Sequence, residues 1–184
     1  MRPFLSALAV CAAASTANAR PASSGWFAEG GLGAVAYLPS AGQYAATGPG
    51  MELRFGRDLF SWFSVGIDLA ASSHEATVPA PPSGEWFQLY RGGADARLGG
   101  LIGRVAFYVE GGLGAAMISS NVLQKVMITD PDEHFSLAIS GGGGLEYQLE
   151  NRHYAFGVGV DAFLLPQFDA IKALDSHVYL RYTY

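Results

Sequence analysis

Apolar and polar residues alternate with a period of two along eight stretches of the chain. Successive side chains of a β-strand point to opposite faces, so this alternation predicts eight strands. Most of them reach the roughly 9–11 residues that a tilted strand needs to cross a bilayer. The predicted strands cover residues 25–38, 46–56, 61–73, 85–98, 104–118, 134–149, 153–165 and 176–184.

Within every predicted strand the charged residues share one face, and the opposite face carries no charge. Because this phase is the same in all eight stretches, we expect one continuous sheet with a polar side and an apolar side. We assign the charged residues to a network inside a barrel. They are Glu29, Glu52, Arg54, Asp68, Arg91, Asp95, Arg97, Arg104, Glu110, Glu146, Asp161 and Arg181.

The links between the predicted strands alternate in length, short and then long. The short ones cover residues 57–60, 99–103 and 150–152, and the long ones cover 39–45, 74–84, 119–133 and 166–175. Barrels of the outer membrane have short periplasmic turns and longer outer loops. We therefore predict an all-β fold, an eight-stranded antiparallel transmembrane β-barrel with up-and-down meander topology and both termini in the periplasm.

A soluble barrel would also alternate, with its apolar face inside. Two features favour lipid outside instead. The charged face is crowded with glycine, as the narrow interior of an eight-stranded barrel requires. Aromatic residues on the apolar face gather near the strand ends, as in interfacial girdles. They are Trp26, Trp86, Phe135, Tyr147, Tyr154, Tyr182 and Tyr184.

The predicted interior holds seven acidic residues and five arginines. Buried charges must be paired and hydrogen-bonded, because an isolated one costs several kcal/mol. We favour a structural polar plug. A path for protons or ions through a partly hydrated lumen is the alternative.

The first 19 residues have the anatomy of a secretory signal. A positive start is followed by a short apolar stretch and by the small residues that precede Ala19. We expect cleavage there, which leaves residues 20–184 as the barrel domain. Cys11 offers a lipoprotein signal as an alternative, although bulky Val10 precedes it. The net charge of −5 and the lack of a basic stripe argue against a nucleic-acid partner.

The last predicted strand alternates perfectly and ends on an aromatic residue. Its apolar face carries Val178, Leu180, Tyr182 and Tyr184. With the barrel pattern, this strand resembles the small outer-membrane barrels, namely the transmembrane domain of outer membrane protein A and the short adhesion-type barrels. The resemblance implies an outer-membrane location in contact with lipid and lipopolysaccharide. It also implies that the barrel assembly machinery binds these four residues as its signal.

The same resemblance implies a monomer with a structural or surface-interaction role, which could bind an extracellular ligand through its loops. We expect no catalysis and no cofactor. A narrow pore or lateral hydrophobic pathway, as in the outer membrane protein W family, is the alternative within transport. That family keeps an apolar lumen near the outside, whereas Arg91, Glu110 and Asp161 crowd this one.

Four further features bear on chemistry or on an opening in the wall. His134, Ser136 and Glu146 resemble the residue set of lipid A 3-O-deacylases, but Glu146 lies ten residues beyond Ser136 on one strand, too far for contact. In Asp175-Ser176-His177, neighbouring residues alternate faces, so Ser176 points away from the other two and the pattern argues against a triad. Four scattered histidines offer no metal-site spacing. The run Gly141–Gly144 predicts tight curvature of the wall, or alternatively a lateral opening.

Overall fold

The computed structural model describes residues 25–38, 45–77, 86–119, 135–150, 153–168 and 170–184. They form eight β-strands and no helix. The predicted signal segment, Cys11 and His134 lie outside the described residues. The strands are β1 (Trp26–Tyr37), β2 (Gly48–Phe60), β3 (Phe63–Glu75), β4 (Trp86–Ile102), β5 (Val105–Ile118), β6 (Phe135–Gln148), β7 (Tyr154–Leu165) and β8 (Ile171–Thr183).

Each strand pairs with the next in antiparallel fashion, and β8 pairs with β1 to close the barrel. The closed meander leaves no free sheet edge, so every strand has two hydrogen-bonded neighbours. The all-β prediction and its eight-stranded topology are confirmed. Among the described residues there is no helix of the length and apolar character required to cross a membrane.

The two ends of the barrel differ in the length of their links. We call the end that holds residues 61–62, 103–104 and 149–153 the turn end; the first residue of β1 and the last of β8 also lie there. The opposite end is the loop end. Gly103 takes a φ of 64° as the first residue of a two-residue link, a conformation that glycine adopts without steric cost.

Three boundaries differ from the sequence prediction by more than two residues. β2 continues to Phe60 rather than ending at residue 56, β4 continues to Ile102 rather than ending at residue 98, and β8 begins at Ile171 rather than at residue 176. The early part of β8 escaped notice because Lys172 breaks the expected charge-free face. The fourth loop-end link is therefore only residues 166–170, and the prediction of a long fourth link is wrong.

The outer face of the barrel is apolar over its central band. Leu32, Leu113 and Val178 face outward, and 60% or more of each side chain is exposed. A soluble barrel keeps its apolar side chains inside and its charged ones outside. Here the charges are inside and large apolar side chains are exposed all around the wall, as on a lipid-facing surface. Charged residues on this face, such as Arg57 and Lys172, occur only near strand ends.

Candidate functional site

The lumen is filled by charged side chains in its turn-end half. Glu29 accepts hydrogen bonds from three arginines. Arg181 Nη1 lies 2.9 Å and Arg97 Nη1 3.0 Å from Glu29 Oε1, and Arg54 Nη1 lies 3.4 Å from the same oxygen. All four side chains are buried. This convergence satisfies the carboxylate, which would otherwise carry a large desolvation cost.

Arg181 also extends toward the turn end, where it binds Asp58. Its Nη2 lies 2.7 Å from Asp58 Oδ1 and 2.6 Å from Oδ2. We call Glu29, Arg54, Asp58, Arg97 and Arg181 the arginine lock. Because these residues come from β1, β2, β4 and β8, the lock joins strands across the lumen rather than along the wall.

Aromatic rings support the guanidinium groups of the lock. Arg181 Cζ lies 3.9 Å from the centroid of the Phe27 ring, and Arg97 Cζ lies 3.8 Å from that of Tyr108. Cation–π contacts of this kind strengthen when they are desolvated. They also fill the space between the arginines, so the lock is packed as well as charged.

The middle of the lumen is richer in acids than in arginines. Arg54 binds Asp95, Arg91 binds Asp175, and Arg97 Nε lies 2.9 Å from Glu110 Oε2. Among the described residues, the space left at this level includes a cavity of about 30 Å³, enough for about two water molecules, and two smaller cavities of about 10 Å³ each. The wall of the first cavity includes Glu52, Asp68, Asp95, Glu110, Asp161 and Asp175.

The loop-end third of the lumen is mostly apolar, with Ser72, His74 and Ser136 buried at the same level. Phe168, from the link 166–170, is fully buried there among side chains from several strands. The link turns tightly, because Ile171 N donates to Phe168 O at 2.9 Å and Ala170 takes a φ of 54°. We call this cluster the apolar plug. It consists of Val35, Phe87, Leu89, Ile118, Phe163, Leu165, Phe168 and Ile171 with five alanines.

Eleven of the twelve charged residues assigned to the lumen from the sequence face inward. Arg104 does not, and its assignment is wrong. It lies in the β4–β5 link, where it is 54% exposed and donates to Glu150 Oε1 at 3.1 Å. Hydrogen bonds to the side chains of Tyr147 and Glu150 raise the pKa of Arg104. The predicted fifth strand begins at residue 104, one residue before β5 begins, so the alternating pattern was applied to a residue of the turn.

Three lumen residues were missed from the sequence, and His177 was left out of the charged network although it shares the polar face of the last predicted strand with Arg181. Asp58, His74, Asp175 and His177 are all buried inside. The three missed residues lie near a strand end or in a predicted link, so the charge pattern did not assign them. Extending the alternation of β2 and β8 by a few residues would have found the two aspartates. Among the described residues, the lumen therefore holds nine acids and four arginines.

The residues that resemble a deacylase set are not brought together. Ser136 is buried near the loop end and bonds Gln167 Oε1 at 2.9 Å. Glu146 lies ten residues along the same strand, beside Tyr179 at the turn-end side. In the described part of the chain no group of three or more histidine, cysteine or acidic residues has an arrangement suited to a metal ion.

The glycine run in β6 belongs to a closed wall. Gly141 to Gly144 pair without interruption with β5 on one side and β7 on the other. On the inner face, a Cβ at Gly142 would overlap Asp161, and one at Gly144 would lie 2.6 Å from the Tyr108 hydroxyl. Gly142 and Gly144 therefore leave room for the side chains of Asp161 and Tyr108 in the lumen.

The sequence of residues 4–181 matches the family model of the outer membrane protein beta-barrel domain. The chain belongs to this family. It is thus an outer-membrane β-barrel protein. No curated protein matches its sequence.

Solved outer-membrane barrels share the fold. Neisserial surface protein A is 15% identical with a TM-score of 0.67, over 89% of this chain and all of that one. OprG of Pseudomonas aeruginosa is 15% identical with a TM-score of 0.62, over 91% of this chain and 99% of that one. At this identity the likeness concerns the fold alone.

Proposed function

We propose that this protein is a non-conducting, non-enzymatic barrel with a structural or surface-interaction role, exercised through its loop end at the cell surface. The observation that carries the proposal is the double closure of the lumen. The apolar plug fills the loop end, the arginine lock fills the turn end, and the cavities described between them have volumes of only about 10 to 30 Å³, the size of one or two water molecules.

In this proposal the turn end, with the short links 61–62 and 103–104, faces the periplasm, because the short turns of outer-membrane barrels lie on that side. Residues 1–19 serve as a cleaved signal peptide and residues 20–184 as the barrel domain. The outward-facing Val178, Leu180, Tyr182 and Tyr184 on the last strand serve as the assembly signal for the barrel assembly machinery. The partners outside are lipid and lipopolysaccharide, and the barrel acts as a monomer.

Three links at the loop end support a role in surface interaction. They cover residues 38–47, 76–85 and 119–134, and they are longer than any link at the turn end. Loops carried on a rigid barrel can vary and bind without disturbing the fold. The recognition of any extracellular ligand is therefore assigned to these three links.

Conductance tests the closure directly. The purified protein, refolded into planar lipid bilayers, is expected to show no channel steps across a range of salt concentrations and voltages. A known porin in the same bilayers is the positive control. Reproducible unit steps that scale with salt would refute a non-conducting barrel.

Loop replacement tests the surface role. The link 119–134 is exchanged for a short hairpin turn, and the 38–47 link is exchanged in a second variant. Both variants are expected to keep the heat-dependent gel shift of a folded barrel. They should lose binding of whole cells to host or neighbouring bacterial surfaces. If cells with each of the two variants bind as strongly as cells with the wild-type protein, the loops do not carry the function.

The mass of lipid A tests the non-enzymatic part of the proposal. Expression of the wild-type protein is expected to leave this mass unchanged.

One observation favours a second function, a hydrophobic pathway like that of the outer membrane protein W family. The sequence argued against it because charges crowd the lumen, but the loop-end third is mostly apolar after all. The plug is filled by Phe168, so such a pathway requires this side chain to move. Uptake of a small apolar dye into cells, compared between wild type and Phe168→Ala, would reveal it.

A further inference from the structure

His177 is a buried histidine whose imidazole faces three carboxylates. Its Nδ1 lies 3.7 Å from Glu52 Oε2, 3.8 Å from Asp161 Oδ2 and 3.9 Å from Asp175 Oδ1. The side chain is 5% exposed, and within the described residues its Nδ1 has no hydrogen-bond partner. A buried nitrogen that points into three acids is a specific arrangement, because such groups are ordinarily paired.

The imidazole ring occupies a slot that the neighbouring strands provide. Gly33 of β1 and Gly159 of β7 stand opposite His177 on either side. A Cβ at Gly33 would lie 2.8 Å from His177 Cβ, and one at Gly159 would lie 2.5 Å from Nε2. The two glycines therefore leave space for the ring, and this space holds Nδ1 near the three acids.

The acids near His177 exceed the arginines available to them. Within the described residues, no arginine lies at ion-pair distance from Glu52, Asp68 or Asp161. The nearby arginines bind Asp95, Asp175, Glu110 and Glu29 instead. Several unbalanced carboxylates in one small cavity repel each other strongly, so positive charge must be supplied from another source.

We propose that His177 with Glu52, Asp161 and Asp175 forms a proton-binding site, which makes the packing of the mid-lumen dependent on pH. The imidazolium takes the place of the arginine that this level of the lumen lacks. Below, we call these four residues the His177 cluster. The proposal concerns the interior alone and does not depend on the surface role.

Other titratable or charged groups surround the cluster, and each strand except β6 and β7 contributes at least one; β7 contributes Asp161 of the cluster itself. Among them are Glu29 of β1, Arg54 of β2, Asp68 of β3, Arg91 and Asp95 of β4, Tyr108 and Glu110 of β5, and Tyr179 of β8.

The sign of the pH effect follows from the charges. The imidazolium formed on protonation attracts the three carboxylates. Protonation of one carboxylate reduces the repulsion among the three. Both changes stabilise the folded barrel. Because the unfolded chain has no such cluster, this contribution is present at mildly acidic pH and is lost as the pH rises and the protons leave. Alkaline pH should therefore loosen the mid-lumen.

The protonation state can be observed in the wild-type protein. With histidine labelled by ¹⁵N and ¹³C and the barrel in detergent micelles, the ring nitrogens of the four histidines are followed from about pH 5 to about pH 9. His177→Gln assigns the signal of interest. We expect the ring nitrogens of His177 to show an imidazolium at about pH 7. A neutral His177 across this range would overturn the proposal.

Stability provides the second measurement. The melting temperature of wild type is expected to fall by several degrees between about pH 6 and about pH 9, and His177→Gln should flatten this slope. Asp161→Asn should raise the melting temperature at alkaline pH, which keeps the test informative if His177→Gln does not fold.

His74→Gln is the matched control. His74 is a second buried lumen histidine, but its nitrogens contact Ala46 O at 3.0 Å and Ser72 Oγ at 2.8 Å rather than acids. Between about pH 7.5 and about pH 9, above the pKa of a histidine in an unfolded chain, this variant should change stability by the same amount at every pH. A slope unchanged in His177→Gln would contradict the proposal. So would stabilisation of the wild type by calcium alone, at constant pH, that Asp161→Asn abolishes, since it would indicate a metal site.

Discussion

Arg181 of β8 binds both carboxylate oxygens of Asp58 of β2 through a single Nη2, at 2.6 and 2.7 Å. These strands are not neighbours, because β1 lies between them. The contact therefore crosses the lumen side of β1, where the guanidinium covers the ring of Phe27. It fastens the turn end of the barrel in a way that no backbone ladder could.

Removing the charge of Asp58 should weaken this fastening. Asp58→Asn keeps the shape but leaves Arg181 with less negative charge in a buried place. We expect the free energy of unfolding to fall by up to about 3–5 kcal/mol. Urea unfolding in lipid vesicles, followed by tryptophan fluorescence, measures the loss. Glu150→Gln, which breaks the exposed pair with Arg104, is the control and should have no measurable effect.

Glu29→Gln should cost more than Asp58→Asn, because three arginines rather than one depend on that carboxylate. The same unfolding measurement ranks the two variants. The double variant should lose less than the sum of the two, because both single changes act on Arg181. An equal or smaller loss for Glu29→Gln would show that Glu29 is not the centre of the lock.

The apolar plug should be separable from the lock. Phe168→Ala removes a fully buried ring and leaves a cavity, so we expect a loss of about 3–5 kcal/mol in stability. Bilayer recordings should nevertheless remain silent, because the arginine lock still closes the turn end. Phe156→Ala is the comparison; its ring faces outward and is half exposed, so no lumen cavity forms. Channel steps in Phe168→Ala would mean that the plug alone prevents conduction.

Two glycines of the wall should respond in opposite ways to a single methyl group. A Cβ at Gly157 would overlap the ring of Tyr179, whose hydroxyl donates to Glu146 at 3.3 Å. Gly157→Ala should therefore destabilise the barrel by about 1–3 kcal/mol. At Gly141 the nearest atom to a new Cβ is Glu110 O at 3.7 Å, so Gly141→Ala should be neutral or slightly stabilising. The folded fraction on unboiled gels distinguishes them.

Much of the architecture follows from the chain alone. Side chains alternate in a strand whatever surrounds it, so the phase of Glu29, Arg97 or Arg181 already assigned each to the polar face. The same local rule identified Leu32 and Val178 as lipid-facing. The rule of alternation failed at Arg104, because this residue lies in a turn rather than in a strand. It also failed at the start of β8, because Lys172 places a charge on the outer face there.

The sequence by itself determined the number of strands, their order, and which face of each is polar, because these properties depend on neighbours along the chain. Only the tertiary structure decided which charges meet. Arg181 and Asp58 are 123 positions apart, and closure of the barrel with its particular register brings them together. The same closure places Phe168 in the loop end and His177 over three acids. Strand pairing is a long-range choice, so the periodicity of one strand carries no record of its partners across the lumen.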